Sequence, residues 1–322
     1  MRPRVSVIFP VHRREAYLRE AIDSIRAQTL PDFEFIVVDD GSGPALGSLL
    51  DAVDDPRIRL IRFPMNLGVN AARNAGLTAA TAPYIALMDS DDVALPQRLA
   101  TQLAWLEAHP ELTVCGSRAI KLLPDGRREP MLYPETDALI KARLLWADAA
   151  LLNPTVMFRT DFVRRNRLFY DANFPVDQDH AFFIAMMQAG ASFSCLSEPL
   201  LLYRRHAQNA TSDETHQDEG KTALRTRLLP LFFPSLTGEE GQLMLKLLRR
   251  RLHLSVREAC SVIAAADRAM RETRSFYGED RAEINRMLEA QVQALMGELT
   301  RAQAPVTAPA TRHPLPAAPA AP

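Results

Sequence analysis

Short apolar runs alternate with amphipathic segments over the first 120 residues of the chain. The apolar runs have the length of strands and cover residues 5–10, 33–40, 57–63 and 84–89. Segments between them, such as 15–28 and 69–81, place apolar residues at helical spacing. Repeated strand–helix–strand units build a mainly parallel sheet with helices on both faces. The sequence therefore predicts an α/β fold that binds ligands beyond the carboxyl ends of its strands.

The pattern changes twice further along the chain. Strands are predicted at 112–117, 155–159 and 192–204, with a helix over 177–189, and these complete an α/β domain of residues 1–217. Beyond it only helical periodicity remains, at 239–251, 256–274 and 280–301, so residues 218–301 are predicted to form a helical appendage. Residues 302–322 are mostly Ala and Pro without an apolar face, which is typical of a disordered tail.

Composition limits the classes of partner and the compartment. The formal net charge of −1 provides no general attraction for nucleic acid, so we expect no nucleic-acid partner. Three widely spaced cysteines show no metal-ligand spacing and fit a reducing compartment. The chain shows neither a signal peptide nor an apolar run of about 18 residues, which predicts a cytoplasmic protein that does not span a membrane.

One apolar run ends in a cluster of carboxylates. Asp89, Asp91 and Asp92 fall within four residues directly after the run that begins at Tyr84. Carboxylate oxygens suit Mg²⁺ or Mn²⁺, and such a cation typically completes its shell with substrate phosphates. The alternative is a solvated turn, or an aspartate that caps the helix predicted near Pro96.

A second acidic pair, Asp39 and Asp40, also ends an apolar run. A carboxylate at such a strand end can accept hydrogen bonds from a base N–H or a ribose hydroxyl, although a simple turn is an alternative. The first strand is followed by neither the glycine fingerprint of dinucleotide-binding folds nor a P-loop. The two acidic strand ends together therefore favour a different kind of nucleotide site.

Taken in order, these segments resemble the family-2 glycosyltransferases, which are inverting enzymes with the GT-A fold. The resemblance covers roughly residues 3–210 and is carried by Val-Ser-Val-Ile-Phe-Pro at 5–10, Gln-Thr-Leu-Pro at 28–31, Phe-Glu-Phe-Ile-Val-Val-Asp-Asp-Gly-Ser at 33–42, Asn-Leu-Gly at 66–68, Ala-Arg-Asn-Ala-Gly at 72–76 and Asp-Ser-Asp-Asp at 89–92. It implies a GT-A fold and a nucleotide-sugar donor.

The resemblance also implies roles for individual residues. Pro10 and Asp40 would line the nucleobase site, and Arg73 would approach the base or the diphosphate. Asp89 and Asp91 would form the Asp-x-Asp element, with Asp91 as the main ligand of Mn²⁺ or Mg²⁺.

The chain also departs from the family's usual pattern, with Arg13 where Asn is usual and Gly43-Pro44 where Thr-Asp is frequent. These departures leave the donor base open, with UDP as the expected nucleotide.

Residues 174–180 resemble the family's Glu-Asp element, which supplies the catalytic base. Counted back from Gly190, Gln178 falls on the Glu and Asp179 on the Asp, so Asp179 is the predicted base. Asp177 is an alternative base and is also predicted to cap the following helix.

The segment 201–206 resembles the family's closing strand and basic turn. There His206 would complete the metal shell and Arg204 would face the diphosphate, whereas a lone histidine in a polar loop is otherwise simply solvated. The basic run 246–251 on a predicted helix could touch an anionic membrane surface from the cytoplasmic side, or it is a solvated helix face.

The sequence as a whole predicts an inverting, metal-dependent glycosyltransferase. It would transfer a sugar from a nucleotide-sugar donor to a hydroxyl of a saccharide or lipid-linked acceptor, in cell-surface polysaccharide synthesis. Two alternatives remain: a nucleotidyltransferase acting on a sugar phosphate, which would need a glycine-rich phosphate loop after the first strand, and a catalytically inactive nucleotide-sugar-binding module, which would lack the carboxylates.

Overall fold

The computed structural model describes residues 2–13, 15–43, 53–146, 149–174, 177–206, 214–248, 254–271 and 281–303. Within these residues nine strands form one sheet. They are β1 (Val5–Val11), β2 (Phe33–Asp39), β3 (Ile58–Arg62), β4 (Tyr84–Leu87), β5 (Val93–Ala94), β6 (Val114–Leu122), β7 (Arg128–Met131), β8 (Met157–Arg159) and β9 (Phe193–Arg204).

The first half of the sheet is parallel, as predicted. Strand β1 pairs in parallel with β2 on one side and β4 on the other, and β2 pairs in parallel with β3. The carboxyl ends of these strands therefore lie at one edge of the sheet. Asp39 ends β2 and Asp89 follows β4 closely, so both acidic clusters lie at this edge.

The second half of the sheet is mixed. Strand β8 joins β4 in antiparallel orientation, β6 joins β8 in the same way, and β9 runs parallel to β6. The short strands β5 and β7 pair antiparallel with β9 and β6. Strand β6 continues to Leu122, well past the predicted end at Ser117, because β9 gives it a partner along that whole length.

Helices cover both faces of the sheet. They are α1 (Glu15–Arg26), α2 (Val69–Ala79), α3 (Arg98–Ala108), α4 (Asp137–Leu145), α5 (Thr160–Arg165), α6 (Gln178–Gln188), α7 (Glu214–Phe232), α8 (Gly238–Leu248), α9 (Val256–Met270) and α10 (Arg281–Gln303). On one face, Leu18 of α1 and Leu103 of α3 pack with Phe9 and Phe35 of the strands. A larger apolar core covers the opposite face and includes α2, α4 and α6.

The C-terminal helices belong to that larger core. Leu228, Met244, Val262 and Leu288, one from each helix of α7–α10, are fully buried and join the cluster that contains Ile36 of β2. The predicted boundary between residues 217 and 218 falls inside α7.

Several predicted features of the C-terminal region lie partly outside the described residues. Helix α10 continues to Gln303, so the first two residues of the predicted tail are helical, while residues 304–322 are outside the description. Of the predicted basic run, Lys246 is described and pairs with Glu258 at 2.8 Å, whereas residues 249–251 are not described. No described helix combines the length and the apolarity that a membrane crossing requires.

Candidate active site

A cavity of about 470 Å³ opens at the carboxyl edge of the parallel strands. Seven of the residues singled out from the sequence line it: Pro10, Asp40, Arg73, Asp89, Asp91, Gln178 and Asp179. They come from five separate segments of the chain, and the fold brings them to one space. Arg204, His206 and Asp177 are not among the lining residues in the described part of the chain.

Asp40 holds the loop that leads into α2. Its Oδ1 accepts a hydrogen bond from the backbone N–H of Leu67 at 2.7 Å, and its Oδ2 accepts one from that of Gly68 at 2.9 Å. Gly68 has φ of 91°, a left-handed conformation that favours glycine. The buried carboxylate thus fixes the start of α2 while it faces the cavity.

His12 closes a small network beside Asp40. Its Nδ1 lies 2.8 Å from the carbonyl oxygen of Asp40, and its Nε2 lies 2.8 Å from Nδ2 of Asn66. Because a carbonyl only accepts and an amide nitrogen only donates, these contacts assign Nδ1 of His12 as the donor and Nε2 as the acceptor. His12 also lines the cavity, although it was not among the predicted site residues.

Arg73 is buried in the cavity wall and pairs with Asp89. Its Nη2 donates to Asp89 Oδ1 at 2.9 Å, and its guanidinium lies 5.2 Å from the ring centroid of Tyr170. Burial opposes the charge, but Asp89, Tyr170 and Asp179 together raise the pKa of Arg73, so it stays cationic. Its buried Nη1 has no hydrogen-bond partner among the described residues. A fixed cation with an unused donor in a cavity suits an anionic ligand.

Asp91 forms the core of a second cluster at the cavity edge. Its Oδ2 lies 2.9 Å from His206 Nε2, and its backbone carbonyl accepts from Arg204 Nε at 3.1 Å. Tyr17 of α1 stacks on the His206 ring, with centroids 5.0 Å apart, and also lies under the Arg204 guanidinium. The predicted metal ligands Asp91 and His206 are therefore in direct contact.

The predicted third ligand, Asp89, is instead engaged by Arg73. Within the described residues, no three His, Cys, Asp or Glu side chains form a group that could hold a metal ion. Mg²⁺ and Mn²⁺ often use only one or two protein ligands and take the remainder from phosphates. The carboxylate and imidazole of Asp91 and His206 provide a donor set of that kind.

A buried charged residue that was not among the predicted site residues supports the end of β4, just before the acidic turn at Asp89–Asp92. Arg98 of α3 is fully buried and donates to the carbonyl of Leu87 at 2.7 Å. Burial lowers the pKa of Arg98 to about 10, while the charges of Asp92 and Asp89 oppose that shift. Gln102 accepts from Arg98 and donates to the carbonyl of Thr155. This pair joins the acidic turn to the segment before β8.

The two candidate bases differ in position. Asp179, in the first turn of α6, lines the cavity together with Gln178. Asp177 has a left-handed backbone with φ of 55°, and its buried Oδ2 has no partner among the described residues. Its side chain makes no capping hydrogen bond to α6, so the prediction that it caps this helix is wrong. A capping aspartate typically has an extended backbone, which the left-handed Asp177 does not have.

Helix α2 also fixes the segment that leads to α6. Asn74 donates to the carbonyl of Tyr170 at 2.9 Å and accepts from its backbone N–H at 2.8 Å. One turn earlier, Asn70 donates to the carbonyls of Asp171 and Phe174. The same helix thus holds Arg73 in the cavity wall and the chain that precedes Asp179.

Comparison with known proteins agrees with this geometry. The family model of glycosyl transferase family 2 matches residues 6–188, more than half of the chain. An uncharacterised glycosyltransferase of Haemophilus influenzae is 29% identical over 243 residues, which are 70% of this chain and 72% of that protein. The succinoglycan biosynthesis protein ExoO of Rhizobium meliloti is 26% identical over 220 residues, which are 65% of this chain and 62% of that protein.

Solved structures show the same fold. The crystal structure of S. aureus TarS 1-349 superposes with a TM-score of 0.57 and 20% identity, covering 94% of this chain and 92% of that one. TarS has also been crystallised with UDP and with UDP-GlcNAc, and the UDP-GlcNAc complex gives a TM-score of 0.57 at 18% identity, over 94% of this chain and 93% of that one. With its GT-A-type fold and the match of residues 6–188, this chain belongs to glycosyl transferase family 2.

Proposed function

We propose that this protein is an inverting glycosyltransferase that transfers a sugar from a UDP-sugar to a hydroxyl of a saccharide or lipid-linked acceptor, in cell-surface polysaccharide synthesis. The observation that carries the proposal is the single cavity into which Asp40, Arg73, Asp91 and Asp179 all face. In this proposal Asp40 binds the nucleobase, Arg73 and Asp91 lie on either side of the diphosphate, and Asp179 accepts the proton of the acceptor hydroxyl.

The expected nucleotide is UDP because of the resemblance to TarS and because of the chemistry of the wall near β1. Pro10 offers an apolar surface to a base, and Asp40 can still accept through the second lone pair of each oxygen. A pyrimidine N–H is a donor of the kind that a carboxylate accepts. ExoO, a relative in polysaccharide biosynthesis, supports the class of product.

The diphosphate is expected between Arg73 and Asp91. Arg73 supplies a buried cation with an unused N–H, and Arg204 lies behind Asp91. Asp91 and His206 would hold Mn²⁺ or Mg²⁺, because carboxylate and imidazole are both accepted ligands of Mn²⁺. When bound, such a cation neutralises the negative charge that grows on the leaving diphosphate.

Asp179 is the proposed base. It would accept the proton from the acceptor hydroxyl while the hydroxyl oxygen attacks the sugar carbon and the nucleoside diphosphate leaves from the opposite face. One displacement of this kind inverts the configuration at that carbon. Its place in the cavity wall, where Asp177 does not lie, supports Asp179 over the alternative register.

The two rival functions make different demands on the same cavity. A nucleotidyltransferase would need backbone N–H groups of a glycine-rich loop after β1, and the residues there are His12, Arg13 and Arg14. An inactive binding module would need no base, and Asp179 is retained in the wall.

A cytoplasmic location, with the basic run 246–251 touching the membrane surface, remains part of the proposal.

Calorimetric titration with UDP tests the donor and metal assignments. We expect the wild-type protein to bind UDP with Mn²⁺ at least about tenfold more tightly than with EDTA, because a cation held by Asp91 and His206 would attract the negatively charged diphosphate. Asp91→Asn should abolish that difference. Equal wild-type affinity with Mn²⁺ and with EDTA would contradict the metal assignment, and no UDP binding under either condition would contradict the donor.

A further inference from the structure

Asn153 is a buried amide in the cavity wall with an unused hydrogen-bond donor. It begins the 3₁₀ turn Asn153–Thr155 just before β8, lines the cavity and is 4% exposed. Its Oδ1 accepts from the hydroxyl of Tyr170 at 3.2 Å. Its Nδ2 is buried and has no acceptor among the described residues. Buried donors are rarely left unpaired, so an unpaired one in a cavity wall indicates a ligand acceptor.

Tyr170 fixes which atom of the amide is free. Asn74 holds its backbone on both sides, and its ring stacks on Phe182 with centroids 4.3 Å apart. Burial raises the pKa of the Tyr170 hydroxyl, which is therefore protonated and needs an acceptor. Among the described residues Asn153 Oδ1 is the acceptor it has. The amide is thus oriented with oxygen toward Tyr170, and nitrogen is the atom left to donate.

The position of Asn153 relative to the proposed reaction indicates which part of the ligand would accept a hydrogen bond from its Nδ2. Tyr170 lies against Arg73, on the proposed diphosphate side, and both lie within electrostatic range of Asp179, the proposed base. The sugar must lie between the diphosphate that leaves and the hydroxyl that attacks. Leu152 and Pro154 flank Asn153 in the wall and offer apolar surface to the C–H groups of a sugar ring.

We propose that Asn153 is a specificity-determining residue of the donor-sugar subsite, where its Nδ2 donates a hydrogen bond to an oxygen of the transferred sugar. This inference rests on the proposed function. A rigid amide distinguishes sugars that place an acceptor oxygen at the right position from sugars that do not, because the wrong sugar leaves the buried donor unpaired.

The experiment compares Asn153→Ala with the wild-type protein on UDP, UDP-glucose, UDP-galactose, UDP-N-acetylglucosamine and UDP-N-acetylgalactosamine. The four sugars differ only in the substituent at C2 and the configuration at C4. Binding is measured by calorimetry without acceptor, and donor hydrolysis by release of UDP. The matched control is Asn166→Ala, which removes an exposed amide at the end of α5.

We expect the wild-type protein to prefer one UDP-sugar by at least about tenfold, and Asn153→Ala to reduce that preference to within about threefold. Affinity for UDP itself should stay within twofold, and Asn166→Ala should retain the wild-type preference. If Asn153→Ala does not fold, Tyr170→Phe serves instead. This variant keeps Asn153 Nδ2 but removes the hydroxyl that orients the amide. It should weaken the preference for one UDP-sugar about threefold.

Three outcomes would overturn the inference alone: a wild-type preference that the variant retains, a parallel loss of affinity for UDP, or equal binding of all four sugars by the wild-type protein. Wild-type protein that binds neither UDP nor any of the four sugars would overturn the proposed function, and the inference with it.

Discussion

Asp40→Asn tests whether this position needs both oxygens of a carboxylate as hydrogen-bond acceptors. Asp40 accepts from Leu67 N at 2.7 Å and from Gly68 N at 2.9 Å, one bond to each oxygen. An amide has a single oxygen, so its NH₂ group must face one of these N–H donors. The loss of one charge-assisted hydrogen bond costs about 1.5–3 kcal/mol. The donor left unpaired adds to this cost, so we expect a total of about 3 kcal/mol.

Thermal unfolding and calorimetry measure the two effects of Asp40→Asn. At about 2 °C per kcal/mol for a chain of this size, the unfolding midpoint should fall by roughly 6 °C. UDP affinity should fall about tenfold, since Asp40 also lines the cavity.

The adjacent Asp39→Asn is the matched control. Asp39 accepts from Ser42 N at 2.9 Å through one oxygen, a bond that an amide oxygen can keep. Its second oxygen lies 3.9 Å from Nε of Arg62, whose side chain is 44% exposed, so this contact contributes little. The control midpoint should stay within about 2 °C of the wild type, with UDP affinity unchanged. Equal midpoint shifts in the two variants would refute the reasoning.

Further variants test the base, its neighbour and the support behind the acidic turn. Asp179→Asn should lower turnover by about 10² to 10⁴ and keep UDP affinity within threefold, whereas normal turnover would remove it as the base. Burial and Asp179 raise the pKa of Asp177 against the opposing His180, Lys221 and Arg225, so its ionisation destabilises the fold as pH rises above the carboxyl's ordinary value. Asp177→Asn should therefore raise the unfolding midpoint at pH 7 and do so less toward pH 4; a lower midpoint at pH 7 would contradict this. Arg98→Met leaves the Leu87 carbonyl unpaired and should destabilise the protein by at least about 2 kcal/mol, measured by urea unfolding, and an unchanged unfolding free energy would show that this contact is dispensable.

The parallel half of the fold could be predicted from the sequence because its strands are short, mainly apolar runs, two of which end abruptly in carboxylates. Strand β2 ends at Asp39 and strand β4 ends just before Asp89. The geometry of parallel strands then requires both ends to lie at one edge, without knowledge of any side-chain contact. The placement of Arg73, Asp91 and Asp179 in the site was predicted from the family resemblance, and all three line the cavity.

Features that depend on tertiary contacts were not predictable in this way. Arginine is rarely buried, so residue type alone argued against the complete burial of Arg98. A signal did exist: Arg98 and Gln102 occupy spacing i, i+4 beside the buried Leu99 and Leu103, which places them on the inner face of α3. The left-handed backbone at Asp177 had no signal, because aspartate occurs at both helix caps and left-handed turns.

The shared core has a consequence for how the chain folds as it is made. Helix α4 contacts β9 and α6, and it also contacts the later helices α7 and α10. Arg225 of α7 donates to the carbonyl of Trp146, which follows α4. At ordinary rates of synthesis, α10 leaves the ribosome on the order of ten seconds after α4. During that interval the apolar side chains Ile140, Leu144 and Leu145, which are fully buried in the finished protein, lack part of their cover. A chain that ends before α7 should therefore expose more apolar surface around α4 than the complete protein does.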